Sequence, residues 1–172
     1  ECVLLQTCHR IEIFCVLRDA NKEKAIKQVL KLWSTKTGVS LDLINKTVRL
    51  YHGREALTHL FYLASGLESM VLGEDQILGQ VRTAYIKAKK NGTAGLILEK
   101  AFMKSINIGR RVRTETKINE GSVSISSAAV DLAAKELGDL ASIKALIIGA
   151  GEAGSIAAET LKRKKASAII IA

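Results

Sequence analysis

Cys8 is the residue with the clearest chemical potential in this sequence. It lies in a polar segment, residues 6–10, between two apolar segments that predict β-strands over residues 3–5 and 11–17. His9 and Arg10 follow it, and a cation near a thiol favours the nucleophilic thiolate. Cys2 and Cys15 fall inside the apolar segments, where a cysteine is usually a small buried hydrophobic residue. We therefore expect Cys8 to be the nucleophile among the three.

A glycine pattern marks the second candidate site. It follows an apolar strand predicted over residues 143–148 and opens a helix predicted to reach about residue 164, before a second strand at 168–171. In that setting glycines allow a tight turn and let a pyrophosphate approach the helix N-terminus. The predicted dinucleotide loop consists of Gly149, Ala150, Gly151, Glu152, Ala153 and Gly154. Spacing does not decide between NAD and NADP, because the chain stops at Ala172, where the discriminating residue is expected.

A polar, glycine-containing insert over residues 66–80 is the third candidate. Glu74 can recognise an ammonium group and Arg10 a carboxylate, so a small zwitterion would fit; a solvated loop is the alternative. His59 precedes the insert, beside the apolar stripe of a helix, and is either a structural residue or part of the site. A thiolate beside a nicotinamide suggests one chemistry, in which sulfur accepts an acyl group and hydride reduces the thioester to an aldehyde.

The rest of the sequence predicts the helices and strands that position these residues. Apolar periodicity predicts helices over residues 20–36, 54–64, 96–116 and 122–137. A further helix is predicted to follow from the insert and to end near residue 90. A short strand is predicted over residues 47–51. We expect an α+β catalytic domain over residues 1–120, followed by a truncated α/β Rossmann-type nucleotide-binding domain over 121–172. Its first strand is expected to be buried on both faces.

Composition narrows the class of protein. The 172 residues are 48% apolar and 25% charged, typical of one or two globular domains. The net charge of +9 lies in residues 1–119, with 20 Lys and Arg against 11 Asp and Glu, which favours a polyanionic partner such as nucleic acid. No apolar run approaches the roughly 20 residues of a membrane span and no secretory signal is evident, so we expect a cytoplasmic protein without a membrane partner. The three cysteines, without CxxC spacing, argue against a disulfide framework or a structural metal site.

Four ordered blocks of the sequence resemble glutamyl-tRNA reductase: residues 6–13, 64–82, 110–116 and 149–152. The resemblance covers essentially the whole chain. The chain is similar to a segment of that enzyme that lacks the C-terminal dimerisation helices. It implies NADPH-dependent reduction of glutamyl-tRNA to glutamate-1-semialdehyde through a Cys8 thioester, the first step of five-carbon tetrapyrrole (porphyrin, haem) biosynthesis. The segment by itself is expected to reduce nothing.

The resemblance also implies roles for individual residues. Cys8 would displace tRNA from the glutamyl ester, and His59 would act near the thiol. The residues that would bind substrate are Thr7, His9, Arg10, Ser69, Glu74, Asp75, Gln76 and Gln80. His9 stands where the family commonly has Asn, and Asp75 where many members have Pro; His9 is thus a second histidine that could tune the thiol. NADPH would bind the glycine loop, and no metal is implied.

Partners follow from the same resemblance. The full-length protein would be a homodimer that binds glutamyl-tRNA, and glutamate-1-semialdehyde aminotransferase is a further partner to test. Candidate phosphate contacts are Lys87, Lys89, Lys90, Arg110, Arg111 and Arg113. The alternative is a non-catalytic tRNA-binding or regulatory relative, in which the glycine loop is a structural turn and Cys8 is inert. A second rival is an NAD(P)-dependent aldehyde dehydrogenase that works through a thiohemiacetal.

Overall fold

A short antiparallel hairpin carries the first candidate site. The computed structural model describes residues 1–7, 9–17, 21–118 and 124–171. Strand β1 (Cys2–Gln6) pairs with β2 (Ile11–Cys15), with Val3 opposite Phe14 and Leu5 opposite Glu12. Val3 and Leu5 are fully buried, because alternate residues of a strand point to one face and this face meets the helices. Glu12 is thereby placed at the edge of an apolar core.

Five helices complete the first part of the molecule: α1 (Lys22–Thr37), α2 (Leu41–Thr47), α3 (Arg54–Ser65), α4 (Gln76–Lys90) and α5 (Leu96–Thr116). Helix α4 packs on β1, and α3 packs on α5. The second pair crosses so closely that a Cβ at Gly109 would collide with the carbonyl oxygen of Ala64. Phe102 fills the core beneath the hairpin, edge-on to Phe14 at a centroid distance of 5.2 Å.

The second part is a parallel βαβ unit preceded by one helix. It consists of α6 (Ile125–Leu137), a 3₁₀ turn (Leu140–Ser142), β3 (Lys144–Ile148), α7 (Glu152–Arg163) and β4 (Ser167–Ile171). Strands β3 and β4 are parallel, with Lys144 opposite Ser167. Helices α6 and α7 pack together over a small core that contains Val130, Leu140 and Leu161. The described part of the chain is thus rich in helix, with two small sheets.

Most predicted elements are present, and three expectations are wrong. No strand forms at residues 47–51, where helix α2 ends and irregular chain follows, and α2 itself was not predicted. The insert stops at residue 75, because α4 begins at Gln76. Strand β3 is not buried on both faces: Leu146 and Ile148 are 59% and 82% exposed, since the described residues place helices against one face only. The predicted domain boundary near residue 121 and the helix starts at residues 20 and 122 lie outside the described residues.

Within the described ranges, no helix combines the length and the apolar character needed to cross a membrane.

Candidate active site

The loop between β1 and β2 is closed by Thr7. Its hydroxyl accepts hydrogen bonds from the backbone N–H groups of His9 (3.2 Å) and Arg10 (3.1 Å). The Thr7 N–H donates to the Arg10 carbonyl oxygen at 2.9 Å. Short polar side chains commonly stabilise such turns in this way. Cys8, the predicted nucleophile, lies outside the described residues, but the residues on both sides of it are fixed by this turn.

A carboxylate at the base of the loop joins two predicted site residues. Glu12 accepts a hydrogen bond from Nη1 of Arg10 through Oε1 at 3.2 Å, and its Oε2 lies 2.9 Å from Nε2 of His59. The second Arg10 nitrogen, Nη2, donates to the backbone carbonyl of Glu68 in the insert. We call Arg10, Glu12, His59 and Glu68 the histidine cluster. It brings together the hairpin, α3 and the insert.

His59 is held in this cluster from several sides. Its side chain is 11% exposed, and its ring is stacked on Tyr51 with a centroid distance of 4.5 Å. The Nδ1 atom lies 3.9 Å from Oε1 of Glu68. The hydrogen bond to Glu12 raises the His59 pKa, and the negative charges of Glu12 and Glu68 act in the same direction, against burial and the Arg10 charge. These contacts therefore stabilise the protonated form of His59 relative to that of a free imidazole.

An open cleft of about 500 Å³ runs beside His59. Residues of α3, together with one from the chain before it and one from the insert, line this cleft: Tyr51, Arg54, Glu55, Thr58, His59, Tyr62 and Glu68. Because the cleft is lined by two tyrosine rings and by side chains of both charges, it suits a polar ligand that has a flat group. The histidine cluster thus borders a space that a small substrate could enter.

Two glycines shape the insert. Gly66 and Gly73 have φ values of +79° and +78°, and the Gly73 N–H donates to the Gly66 carbonyl at 3.0 Å. A Cβ at Gly73 would collide with the carbonyl oxygen of Ile118. Both the positive φ of Gly73 and the lack of space for a side chain therefore require glycine at this position. Residues 66–73 therefore form a closed loop at a defined place against the end of α5.

Arg113 holds the end of this loop from below. Its guanidinium donates to the carbonyl oxygens of Ala64 (2.8 Å), Gly109 (2.9 Å) and Glu74 (2.8 Å) and to the Asp75 carboxylate (2.9 Å). The side chain is 9% exposed. Its prediction as a phosphate contact is wrong, because all these donors face inward and organise the insert.

The other basic candidates divide into two groups. Lys89 forms an ion pair with Glu99, and Arg111 with Glu115. Lys87, Lys90 and Arg110 are exposed on α4 and α5 and remain predictions as nucleic-acid contacts. In the part of the chain that is described, no three side chains of metal-binding type cluster closely enough to hold a metal ion.

The predicted substrate-binding residues of the insert occupy different environments. Ser69 is half-buried in the loop, Glu74 is half-buried at its end, and Gln80 is half-buried in the second turn of α4. Asp75 is exposed and paired with Arg113, and Gln76 is exposed at the start of α4. These residues share one loop and helix start, but binding by them remains a prediction.

The glycine loop lies next to this helix start. The amide Nε2 of Gln76 donates to Oε1 of Glu152 at 3.0 Å, which joins the first turn of α4 to the first turn of α7. The two candidate sites, distant in sequence, therefore meet at this contact. Sequence spacing could not have indicated it.

The backbone of the glycine loop fits a dinucleotide. Gly149 has a φ of +102°, and a Cβ at Gly154 would collide with the Gly149 carbonyl oxygen, so both positions require glycine. At Gly151 nothing lies within 4 Å of where a Cβ would be, which leaves the N-terminus of α7 open to an approaching phosphate. Ala150 and Ala153 add only small side chains, so the loop as a whole offers backbone N–H groups.

Three residues of the site were missed from the sequence: Glu12, Glu68 and Tyr51. Glu12 carried a detectable signal, since it shares a strand face with the core residue Phe14, and a carboxylate on such a face needs a partner. Glu68 and Tyr51 reach His59 only through tertiary packing.

The fold and the site together define a two-part protein, in which a helical domain with a histidine–carboxylate cluster leads into a glycine-loop βαβ unit. Its first part, residues 1–116, matches the family model described as glutamyl-tRNA(Glu) reductase, N-terminal domain. The chain belongs to the glutamyl-tRNA reductase family. Residues 131–172 match a second family model, shikimate / quinate 5-dehydrogenase.

Individual relatives agree with this assignment. The glutamyl-tRNA reductase of Methanosarcina mazei is 48% identical over 172 residues, which is 100% of this chain and 36% of that protein. The glutamyl-tRNA reductase of Methanocaldococcus jannaschii is 46% identical over 170 residues, 99% of this chain and 40% of that protein. The solved structure of glutamyl-tRNA reductase from Methanopyrus kandleri matches with a TM-score of 0.63 and 40% identity, over 98% of this chain and 39% of that one. The chain thus spans less than half the length of these relatives.

Proposed function

We propose that this chain supplies the acyl-transfer site and the start of the cofactor site for NADPH-dependent reduction of glutamyl-tRNA to glutamate-1-semialdehyde, the first step of tetrapyrrole biosynthesis. The names of the relatives support the reaction. The observation that carries the proposal is the histidine cluster, in which the Glu12 carboxylate hydrogen-bonds with both Arg10 and His59, while Arg10 and Glu12 lie two and four residues after Cys8 in the sequence.

In the proposed first step, the Cys8 thiolate attacks the carbonyl carbon of the glutamyl ester. A carbon–sulfur bond forms, the ester carbon–oxygen bond breaks, and the ribose oxygen of tRNA leaves with a proton. His59 suits the role of proton donor, because the hydrogen bond to Glu12 raises its pKa and so stabilises its protonated form. Glu12 is a positioning residue, since its carboxylate holds the His59 ring through Nε2.

Charged groups around the cluster support recognition of the glutamyl group. The described contacts of Arg10 use Nη1 for Glu12 and Nη2 for the Glu68 carbonyl, and a guanidinium has five N–H donors. Further donors are therefore available to a substrate carboxylate. We propose that Arg10 binds the side-chain carboxylate of the glutamyl group, while Glu74 or Glu68 binds its ammonium group. Thr7, His9, Ser69, Gln76 and Gln80 are proposed to complete the pocket.

The glycine loop is the proposed site of NADPH, with the pyrophosphate at the open N-terminus of α7. NADPH, when bound there, supplies the hydride that reduces the thioester to the aldehyde and returns the sulfur as a thiolate. The Gln76–Glu152 contact supports this arrangement, since it joins the start of α4, which follows the insert, to the glycine loop. We further propose that the protein works in the cytoplasm as a homodimer.

The test is acyl transfer from tRNA that carries radiolabelled glutamate. We expect protein-bound, hydroxylamine-labile label in the unsubstituted chain and in Cys15→Ser, and none in Cys8→Ser. Cys15 is the matched control, because it is a cysteine of the same hairpin. Equal label in all three proteins, or label lost only in Cys15→Ser, would contradict the proposal.

A further inference from the structure

Cys2 and Cys15 face each other across the hairpin. They are direct partners in the strand register, and their Sγ atoms lie 3.9 Å apart. The expectation that both are buried hydrophobic residues is wrong for Cys15, which is exposed, while Cys2 is half-buried. The end of the hairpin away from the Cys8 loop therefore carries two adjacent thiols within reach of solvent.

The hydrogen-bond pattern shows which kind of strand pair they form. The neighbouring pair, Glu1 and Val16, exchanges both backbone hydrogen bonds, at 3.1 and 3.0 Å. Because hydrogen-bonded and non-hydrogen-bonded pairs alternate in antiparallel strands, Cys2 and Cys15 are a non-hydrogen-bonded pair. The Cys2 N–H agrees, since it points away from β2 and donates to the Thr93 carbonyl at 2.8 Å.

This pairing suits a covalent link. Non-hydrogen-bonded pairs have Cα atoms about 4.5 Å apart, within the range of about 4.4–6.8 Å that disulfides span. Rotation of the two side chains is then enough to bring the sulfurs to bonding distance. Exposed disulfides are more readily reduced again than buried ones, and Cys15 is exposed.

We propose that Cys2 and Cys15 are a reversible dithiol–disulfide site. The oxidant is a small disulfide such as oxidised glutathione. One cysteine thiolate attacks it and forms a mixed disulfide, releasing one glutathione thiolate; the second cysteine thiolate then attacks the protein-bound sulfur and releases the other. Two electrons pass from the cysteines to glutathione disulfide, and the two thiol protons go to solvent or to the released thiolates.

The electrostatics of the pair set its pH dependence. Although Cys15 is exposed as a residue, partial desolvation of its thiol and the adjacent Cys2 thiol raise its pKa to about 11, whereas the amino group of Glu1 acts against this shift. Exchange requires the thiolate, so closure of the disulfide should accelerate as the pH rises above neutrality. The resulting bond would fix β1 to β2 at the open end of the hairpin.

The experiment uses Cys8→Ser, which leaves Cys2 and Cys15 as the two cysteines of the chain. After treatment with oxidised glutathione and blocking of free thiols, we expect no titratable thiol, no bound glutathione, and a peptide map that links residues 1–10 to residues 11–18. Dithiothreitol should restore both thiols. In Cys8→Ser with Cys15→Ser, we expect one glutathione to remain on Cys2.

Three outcomes would overturn the proposal: two retained thiols, two bound glutathiones, or a link between two chains. Peptide mapping of the oxidised, unsubstituted chain is a second readout that does not depend on Cys8→Ser folding normally. It should give a bond between Cys2 and Cys15, and a map that joins either cysteine to Cys8 instead would equally overturn the proposal.

Discussion

Replacing Glu12 with Gln tests the histidine cluster most sharply. The substitution keeps the size of the side chain but removes the charge that Arg10 and His59 share. Glu12 and His59 are 17% and 11% exposed, so solvent screens the pair only weakly. A hydrogen bond to a charged group contributes about 1.5–3 kcal/mol. Because this bond is the main cause of the raised His59 pKa, its loss should lower that pKa towards the ordinary histidine value.

The same pair makes stability depend on pH. Since the folded-state pKa of His59 is raised, the contribution of the pair is fully present below the unfolded value of 6.5 and is lost as the pH rises through the folded pKa. We expect Glu12→Gln to reduce the free energy of unfolding most in that acidic range, with a smaller reduction at higher pH.

The assay is an NMR titration of the His59 ring, assigned with His59→Gln, together with urea unfolding at several pH values. Glu55→Gln is the matched control, because Glu55 lines the same cleft one helical turn before His59 but does not hydrogen-bond to its ring. An unchanged His59 midpoint in Glu12→Gln, or an equal shift in Glu55→Gln, would refute the assignment of the pKa shift to Glu12.

Three further substitutions, two of them with a matched control, test the supports of the site. Arg113→Met should lower the free energy of unfolding by about 2 kcal/mol or more, because the carbonyl oxygens of Ala64 and Glu74 lose this donor and each buried polar group left unsatisfied costs about 1–3 kcal/mol. Arg110→Met should change it by less than about 0.5 kcal/mol. In urea unfolding, Gly109→Ala should destabilise by about 1–3 kcal/mol and Gly79→Ala, in open space on α4, should stabilise by about 0.4–1 kcal/mol. Gly154→Ala should weaken nucleotide binding in a fluorescence titration with NADPH, because the new Cβ forces the loop apart. These expectations would be contradicted by equal changes in unfolding free energy for Arg113→Met and Arg110→Met, or for Gly109→Ala and Gly79→Ala. Unchanged NADPH binding by Gly154→Ala would contradict the third expectation.

Local sequence signals predicted the elements that have strong periodicity or clear ends. Helix α5 has the predicted bounds, and α1 ends before Gly38, whose φ of +73° makes it the C-cap. Helix α2 was missed because it is only seven residues long, although Ser40 accepts a capping hydrogen bond from the Leu43 N–H. Short helices of this kind depend on packing, in this case on α1.

The site was predictable only in part, because its contacts join distant segments. The residue types around Cys8, His59 and the glycine loop indicated the chemistry. Glu12 and His59 are 47 residues apart in the sequence, and Gln76 and Glu152 are 76 residues apart. At such separations, the spacing of residues carries no information about which side chains are in contact. The buried position of Arg113 could not be predicted either, because its contacts also join distant segments. A basic cluster near a helix end has the same sequence pattern whether its side chains are buried or exposed.

The position of the acyl group on the protein is the most direct measure of the central claim, that Cys8 accepts the glutamyl group. The chain is incubated with glutamyl-tRNA, quenched in acid and digested with pepsin, and the modified fragment is sequenced by tandem mass spectrometry. We predict a single glutamyl thioester, on Cys8. A glutamyl group on Cys2 or Cys15, or on a residue other than cysteine, would contradict the claim.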